Sequence, residues 1–130
     1  MSKSPGHRKW PDHDVREVHL DTPMRVEVDG KVVAESNDVI LVDEVENPAR
    51  YYFRRSDVRM DLFERSSKTT KCPFKGTATH FSLDLGDRKQ VKDVAWSYEE
   101  PYDEHAELRQ RLAFYADEIE AVEVVPPDRP

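Results

Sequence analysis

A two-residue turn, Asp29-Gly30, sits between two segments of strand character and leaves the chain around it little choice but a hairpin. Met24, Val26 and Val28 alternate with Arg25 and Glu27 before it, and Lys31-Val32-Val33-Ala34-Glu35 returns after it. Both turn residues accept positive φ, the backbone twist that a tight hairpin requires. An alternating segment with such a turn commits residues 24–35 to antiparallel pairing. Asn37-Asp38 turns the chain again, into Val39-Ile40-Leu41-Val42, a run apolar on both faces that suits a central strand. Asn47-Pro48 ends it, and Arg50-Tyr51-Tyr52-Phe53 reads as the next strand. A second hairpin follows the same logic. Thr79, Phe81, Leu83 and Leu85 alternate with His80, Ser82 and Asp84, Gly86-Asp87 turns, and Val91, Val94, Trp96 and Tyr98 return.

Weaker signals fill the gaps. Ser56-Asp57-Val58 reads as a single helical turn capped by Ser56. Met60, Leu62 and Arg65 alternate as a short strand would. One short helix is expected after Pro101, with Asp103 and Glu104 at its positive end, Arg109 and Arg111 at the other, and His105, Leu108 and Leu112 on one face. Phe114-Tyr115 and Ile119 to Val125 look extended. The expected fold is mainly β: an antiparallel sandwich, a barrel-like form or a strongly bent sheet, of about eight or nine short strands with one short helix. Val26, Val28, Ile40, Val42, Phe53, Phe81, Leu83, Val94, Trp96 and Phe114 are the expected core.

A length of 130 residues suits one domain. Residues 1–14 read as a loose arm that Trp10 is able to pin, residues 15–125 as the single β-rich domain, and residues 126–130, with three prolines, as an irregular tail. The net charge of -7 argues against nucleic acid or an anionic membrane as the partner. With no apolar leader and no stretch of spanning length, the expected location is cytoplasmic. Cys72 is the single cysteine, which rules out an intramolecular disulfide and a multi-cysteine zinc site. His7, His13 and His19 are spaced unlike metal ligands, and no cofactor fingerprint or metal site is expected.

The charge is unevenly spread. Residues 50–75 carry eight basic and three acidic side chains, between segments 12–46 and 99–123 that are predominantly acidic. Arg50, Arg54, Arg55 and Arg59 fall within ten residues. Ion pairs with Asp57, Asp61 or the acidic flanks account for them structurally. An anion site accounts for them functionally, since arginine forks grip carboxylate or phosphate.

Four local sequences carry a family resemblance. They are Tyr51-Tyr52-Phe53-Arg54-Arg55-Ser56-Asp57-Val58-Arg59, Thr70-Lys71-Cys72-Pro73-Phe74-Lys75-Gly76, Ala95-Trp96-Ser97-Tyr98 and Ala113-Phe114-Tyr115. In order and spacing they resemble the bacterial family called domain of unknown function 427, over roughly residues 24–124. That family is sometimes labelled nucleotidyltransferase-like, which implies phosphate-bearing ligands. Arg55 departs from the family, which usually has proline there.

Three classes of function stay open. The first is binding of a small anionic, phosphate- or carboxylate-bearing ligand through a basic pocket. Arg54, Arg59 and Lys75 would supply charge there, with Tyr52, His80 and Tyr98 as hydrogen-bonding neighbours. The second is an enzyme, of nucleotidyl or phosphoryl transfer or of thiol chemistry at Cys72, whose thiolate the nearby Lys71 and Lys75 would favour. The third is an interaction domain without pocket chemistry. Asp57 and Asp61, four apart, suit paired metal ligands on a helix face but not in a strand.

Overall fold

The computed structural model describes Ser4, Gly6, Lys9, residues 15–44, 48–86 and 89–116, Ile119 and residues 122–125. The turn residues Asn47 and Asp87, the side chains of Trp10, His7 and His13, and the tail 126–130 lie outside the described residues.

Among the described residues, ten strands form two antiparallel sheets. In chain order they are β1 (Val15–Leu20), β2 (Met24–Val28), β3 (Lys31–Ser36), β4 (Val39–Glu44), β5 (Arg50–Phe53), β6 (Phe63–Cys72), β7 (Gly76–Gly86), β8 (Lys89–Tyr98), β9 (Leu112–Phe114) and β10 (Val122–Val125). The larger sheet runs β1-β4-β5-β9-β8-β7-β6 and the smaller β10-β2-β3. Among the described strands β1 and β6 are the outer edges of the larger sheet, so the sheet is open and does not close into a barrel. Register shifts between Arg65 and Thr69, Phe81 and Leu83, and Asp84 and Gly86 mark bulges or irregularities in these ladders.

The Asp29-Gly30 hairpin forms with both residues at positive φ (50° and 81°) and Val28 opposite Lys31. The second hairpin pairs Gly86 with Lys89. β4 lies between β1 and β5, as its two apolar faces require. Where helix was expected after Pro101 there is a 3-10 segment, Asp103–Leu108, kinked at His105, and Leu112 instead opens β9. Two shorter 3-10 turns span Arg55–Asp57 and Met60–Leu62. Ser56 lies inside the first and does not cap it, and the strand expected near Met60 begins only at Phe63. No helix among the described residues is long and apolar enough to cross a membrane.

Period-2 alternation sends neighbouring residues to opposite faces of the larger sheet. Val39, Phe53, Ala95, Leu112 and Phe114 join Met24, Val26, Val28 and Val122 of the smaller sheet in the main core. Their neighbours Ile40, Tyr52, Trp96 and Ala113 form a second cluster on the reverse face, with Val42, Ala78, Tyr98 and Leu108. All ten residues expected in the core are buried, though Ile40, Val42 and Trp96 belong to this second face.

Candidate functional site

The reverse face is built on one cross-strand row. Ile40 pairs with Tyr52, Tyr52 with Ala113, Ala113 with Trp96, and Trp96 with His80, across five strands. Ala113 lies at its centre, and Ala78 lies opposite Tyr98 on the same face. A cavity of about 470 Å³ opens on this face, lined by Tyr52, Trp96 and Tyr98 among others. Its described lining comprises four groups: cations (Arg50, Lys68, Lys75), hydroxyl and thiol groups (Tyr52, Tyr98, Tyr115, Thr70, Cys72), one carboxylate (Glu44), and apolar residues (Trp96, Val42, Pro48).

Strand parity explains Arg50. It lies opposite Val42 and two residues before Tyr52, so it shares their face. Its guanidinium sits over the rings of Trp96 and Tyr115, at 5.0 and 5.2 Å from their centroids, an attraction between cation and π-cloud. Lys75 arrives differently. The β6–β7 hairpin pairs Cys72 with Gly76 around a loop of Pro73, Phe74 and Lys75. Gly76 has φ 126°, and a Cβ there would lie 3.3 Å from the Glu100 carbonyl oxygen, so the loop can close against 100–102 only with glycine. Tyr102 donates its backbone N–H to the Lys75 carbonyl at 2.9 Å. So held, the Lys75 side chain is almost fully buried and its Nζ contacts Glu44 Oε1 at 2.5 Å. Ser4 and Gly6, from the segment expected to be an arm, are buried and both donate hydrogen bonds to the Pro73 carbonyl of this tip.

The hydroxyls are arranged by buried partners. Trp96 donates its indole N–H to the Tyr52 oxygen at 3.1 Å, and the two rings meet edge to face. Tyr98 stacks on Tyr52 with centroids 6.4 Å apart. Burial pushes the Tyr52 phenol well above its ordinary value, against the opposing pull of the Trp96 hydrogen bond. Burial does the same to Tyr98, with the neighbouring acids Tyr52, Cys72 and Glu44 adding to it. Both phenols therefore keep their protons at physiological pH and face the cavity as neutral groups. Thr70 on β6 lies 2.9 Å from Nε2 of His80, and His80 stacks on Tyr115. Burial, and after it the charge of Lys68, hold His80 below the usual histidine value, so its ring is neutral at pH 7.

Of the residues singled out from sequence, Tyr52, Cys72, Lys75 and Tyr98 meet at the cavity, and His80 sits just behind its wall. Arg54 and Arg59 do not join them. β5 ends at Phe53, so Arg54 escapes the alternation that would have placed it beside Tyr52. Instead it bonds Asp57 at 2.9 Å and approaches Asp38 at 3.5 Å. Arg59 is exposed and grips both oxygens of Asp61 at 3.2 and 3.1 Å. Asp57 also accepts from Ser36, so Asp57 and Asp61 are held separately by other partners and do not converge as a metal pair. Arg55 reaches Ser97 Oγ, the Gln110 carbonyl and Glu99, and lies over Phe81, on the face away from the cavity.

Lys68, Thr70, Glu44 and Tyr115 were not singled out. β6 reads Phe-Glu-Arg-Ser-Ser-Lys-Thr-Thr-Lys-Cys, an edge strand mostly exposed on both faces, with no apolar alternation to reveal it. Glu44 is 31 residues from Lys75, and only the pocket joins them. Cys-Pro-Phe-Lys-Gly at a hairpin tip was the one available signal for β6.

The family model described as "Domain of unknown function (DUF427)" matches residues 17–125. No curated protein matches the chain.

Proposed function

The chain belongs to the domain of unknown function 427 family, and we propose that it is a cytoplasmic domain that binds a small anionic ligand, phosphate- or carboxylate-bearing, in the cavity on the reverse face of its larger sheet. One observation carries this reading. In a chain of net charge -7, the described lining sets three cations, Arg50, Lys68 and Lys75, against one carboxylate, Glu44. Cations and neutral O–H donors converging in a concave site are what an anion needs, while aromatic walls of Trp96 and Tyr115 supply contact area for the rest of a ligand. Binding is favoured over phosphoryl or nucleotidyl transfer. A metal-assisted transfer needs carboxylates held beside the phosphate site, and here Glu44 is engaged by Lys75 while Asp57 and Asp61 are elsewhere.

The test is a thermal-shift panel of inorganic phosphate, nucleotides, sugar phosphates and carboxylates, run on the wild type, Arg50→Ala, Lys68→Ala and, as a control outside the cavity, Arg59→Ala. A ligand at 100 times its Kd stabilises by about 2.7 kcal/mol. With an unfolding entropy of about 2.1 cal/mol/K per residue, that raises the melting temperature by about 10 °C. Arg50→Ala and Lys68→Ala should lose most of the shift and Arg59→Ala none. If no anion moves the wild type, or if the two cavity variants respond as it does, the reading falls.

A further inference from the structure

We propose that His80 is a positioning residue that fixes the Thr70 hydroxyl as a hydrogen-bond donor to the anion held in this cavity, an inference that rests on the anion-binding reading. Thr70 projects from β6 into the cavity, and its Oγ1 is 2.9 Å from His80 Nε2. A neutral imidazole has one N–H and one lone pair, and which nitrogen carries the proton decides what Thr70 offers. With the proton on Nδ1, Nε2 accepts the Thr70 O–H, and the hydroxyl turns only lone pairs toward the cavity. An anion would then be repelled. With the proton on Nε2, His80 donates to Oγ1, and the Thr70 proton is left to point at the ligand.

Two observations select the second arrangement. First, His80 is fully buried and, among the described residues, its Nδ1 has no hydrogen-bond partner. A buried N–H without an acceptor is costlier and rarer than a buried lone pair without a donor. Placing the proton on Nδ1 would orphan a donor and placing it on Nε2 orphans only a lone pair. Second, the neighbouring strand already uses the same device without ambiguity. Trp96, paired with His80 across the β7–β8 ladder, has an indole nitrogen that can only donate, and it donates to Tyr52. One lone pair of the Tyr52 hydroxyl is thereby filled and its proton directed elsewhere. Two adjacent buried rings thus each present an N–H to a cavity hydroxyl, and both hydroxyls become donors.

The experiment pairs nitrogen NMR of the His80 ring in the full chain with calorimetric titration of inorganic phosphate into wild type, Thr70→Val, Thr70→Ser and His80→Phe. The expected spectrum shows Nε2 protonated and Nδ1 bare. Thr70→Val should weaken phosphate by about tenfold or more, the usual size of a lost hydrogen bond to a charged group, and should also lower the melting temperature, because the buried His80 Nε2–H loses its acceptor. Thr70→Ser should restore the affinity. His80→Phe leaves Thr70 its hydroxyl but no longer orients it, so it should weaken phosphate measurably and less than Thr70→Val does. A proton on Nδ1 with Nε2 bare, or phosphate binding unchanged in Thr70→Val, overturns this inference and leaves anion binding standing. Failure of the wild type to bind any anion overturns both.

Discussion

Replacing Glu44 by glutamine should make the protein less stable and its affinity for phosphate higher. Glu44 and Lys75 form an ion pair of 2.5 Å, with side chains 14% and 9% exposed. Breaking one partner of a buried pair costs about 3–5 kcal/mol, since the other charge is left desolvated. The cavity opens to water on one side, which places this pair near the lower figure, about 3 kcal/mol. For 130 residues an unfolding entropy of about 2.1 cal/mol/K per residue sums to about 0.27 kcal/mol/K, so the melting temperature should fall by about 11 °C. The same substitution removes the carboxylate that competes with a ligand for Lys75. At an effective dielectric of about 20, a carboxylate about 6 Å from an anion repels it by about 2.8 kcal/mol, and salt entering the open mouth about halves this. Phosphate should therefore bind about tenfold tighter. Thermal denaturation followed by circular dichroism reads the first effect and calorimetric titration the second. A control, Glu44→Leu with Lys75→Met, removes both charges and should destabilise less than Glu44→Gln alone. A Glu44→Gln melting temperature within about 3 °C of wild type would show that the pair is not meaningfully desolvated. Phosphate affinity unchanged or reduced would show that the anion does not sit beside Glu44.

Phe81 is 5% exposed in the main core, and Phe81→Ala should cost about 3–5 kcal/mol in chemical denaturation; a loss below about 1 kcal/mol would contradict the inward phase of β7. The pKa of His80 lies below the ordinary 6.5, burial being the first cause. The unfolded chain therefore binds a proton in this window that the native one refuses, and stability declines as pH falls below about 6.5. Urea unfolding of wild type and His80→Phe across pH 7.5 to 5 should show a shallower decline in the variant, and parallel curves would remove His80 as a contributor. Asp57 acts lower on the scale: burial raises its pKa, but hydrogen bonds from Ser36 and Arg54 outweigh that and hold it below the ordinary 3.8. Its contribution is present above pH 3.8 and lost as pH falls further, so Asp57→Asn should flatten the acid limb there.

The two hairpins, the central position of β4 and the buried set were legible because they depend on local rules. Turn residues at Asp29-Gly30 and a period of two along β2, β5 and β7 act over a few residues, and no distant partner alters them. The same parity places Arg50 beside Tyr52. It fails one turn later, where the chain leaves β5 for a 3-10 segment, and Arg54 and Arg59 follow Asp57 and Asp61 away from the cavity. An excess of cations in residues 50–75 was therefore visible as a segment, but not which of them share a face. β6 was hidden for a related reason: an exposed edge strand has no buried face to impose alternation.

Local patterning along the chain is enough to specify a mainly β fold, its strongest turns, its buried residues and its family. The residues of the candidate site come together only in three dimensions. Glu44 meets Lys75 across 31 residues, Arg50 reaches Tyr115, and Tyr52 accepts a hydrogen bond from Trp96 across 44. The physical reason is that hydrogen bonds and ion pairs act over a few ångströms in space, whatever the separation along the chain. The sheet order β4-β5-β9-β8-β7-β6 brings these residues onto one face, and that order is set by cross-strand packing rather than by any local run of residues.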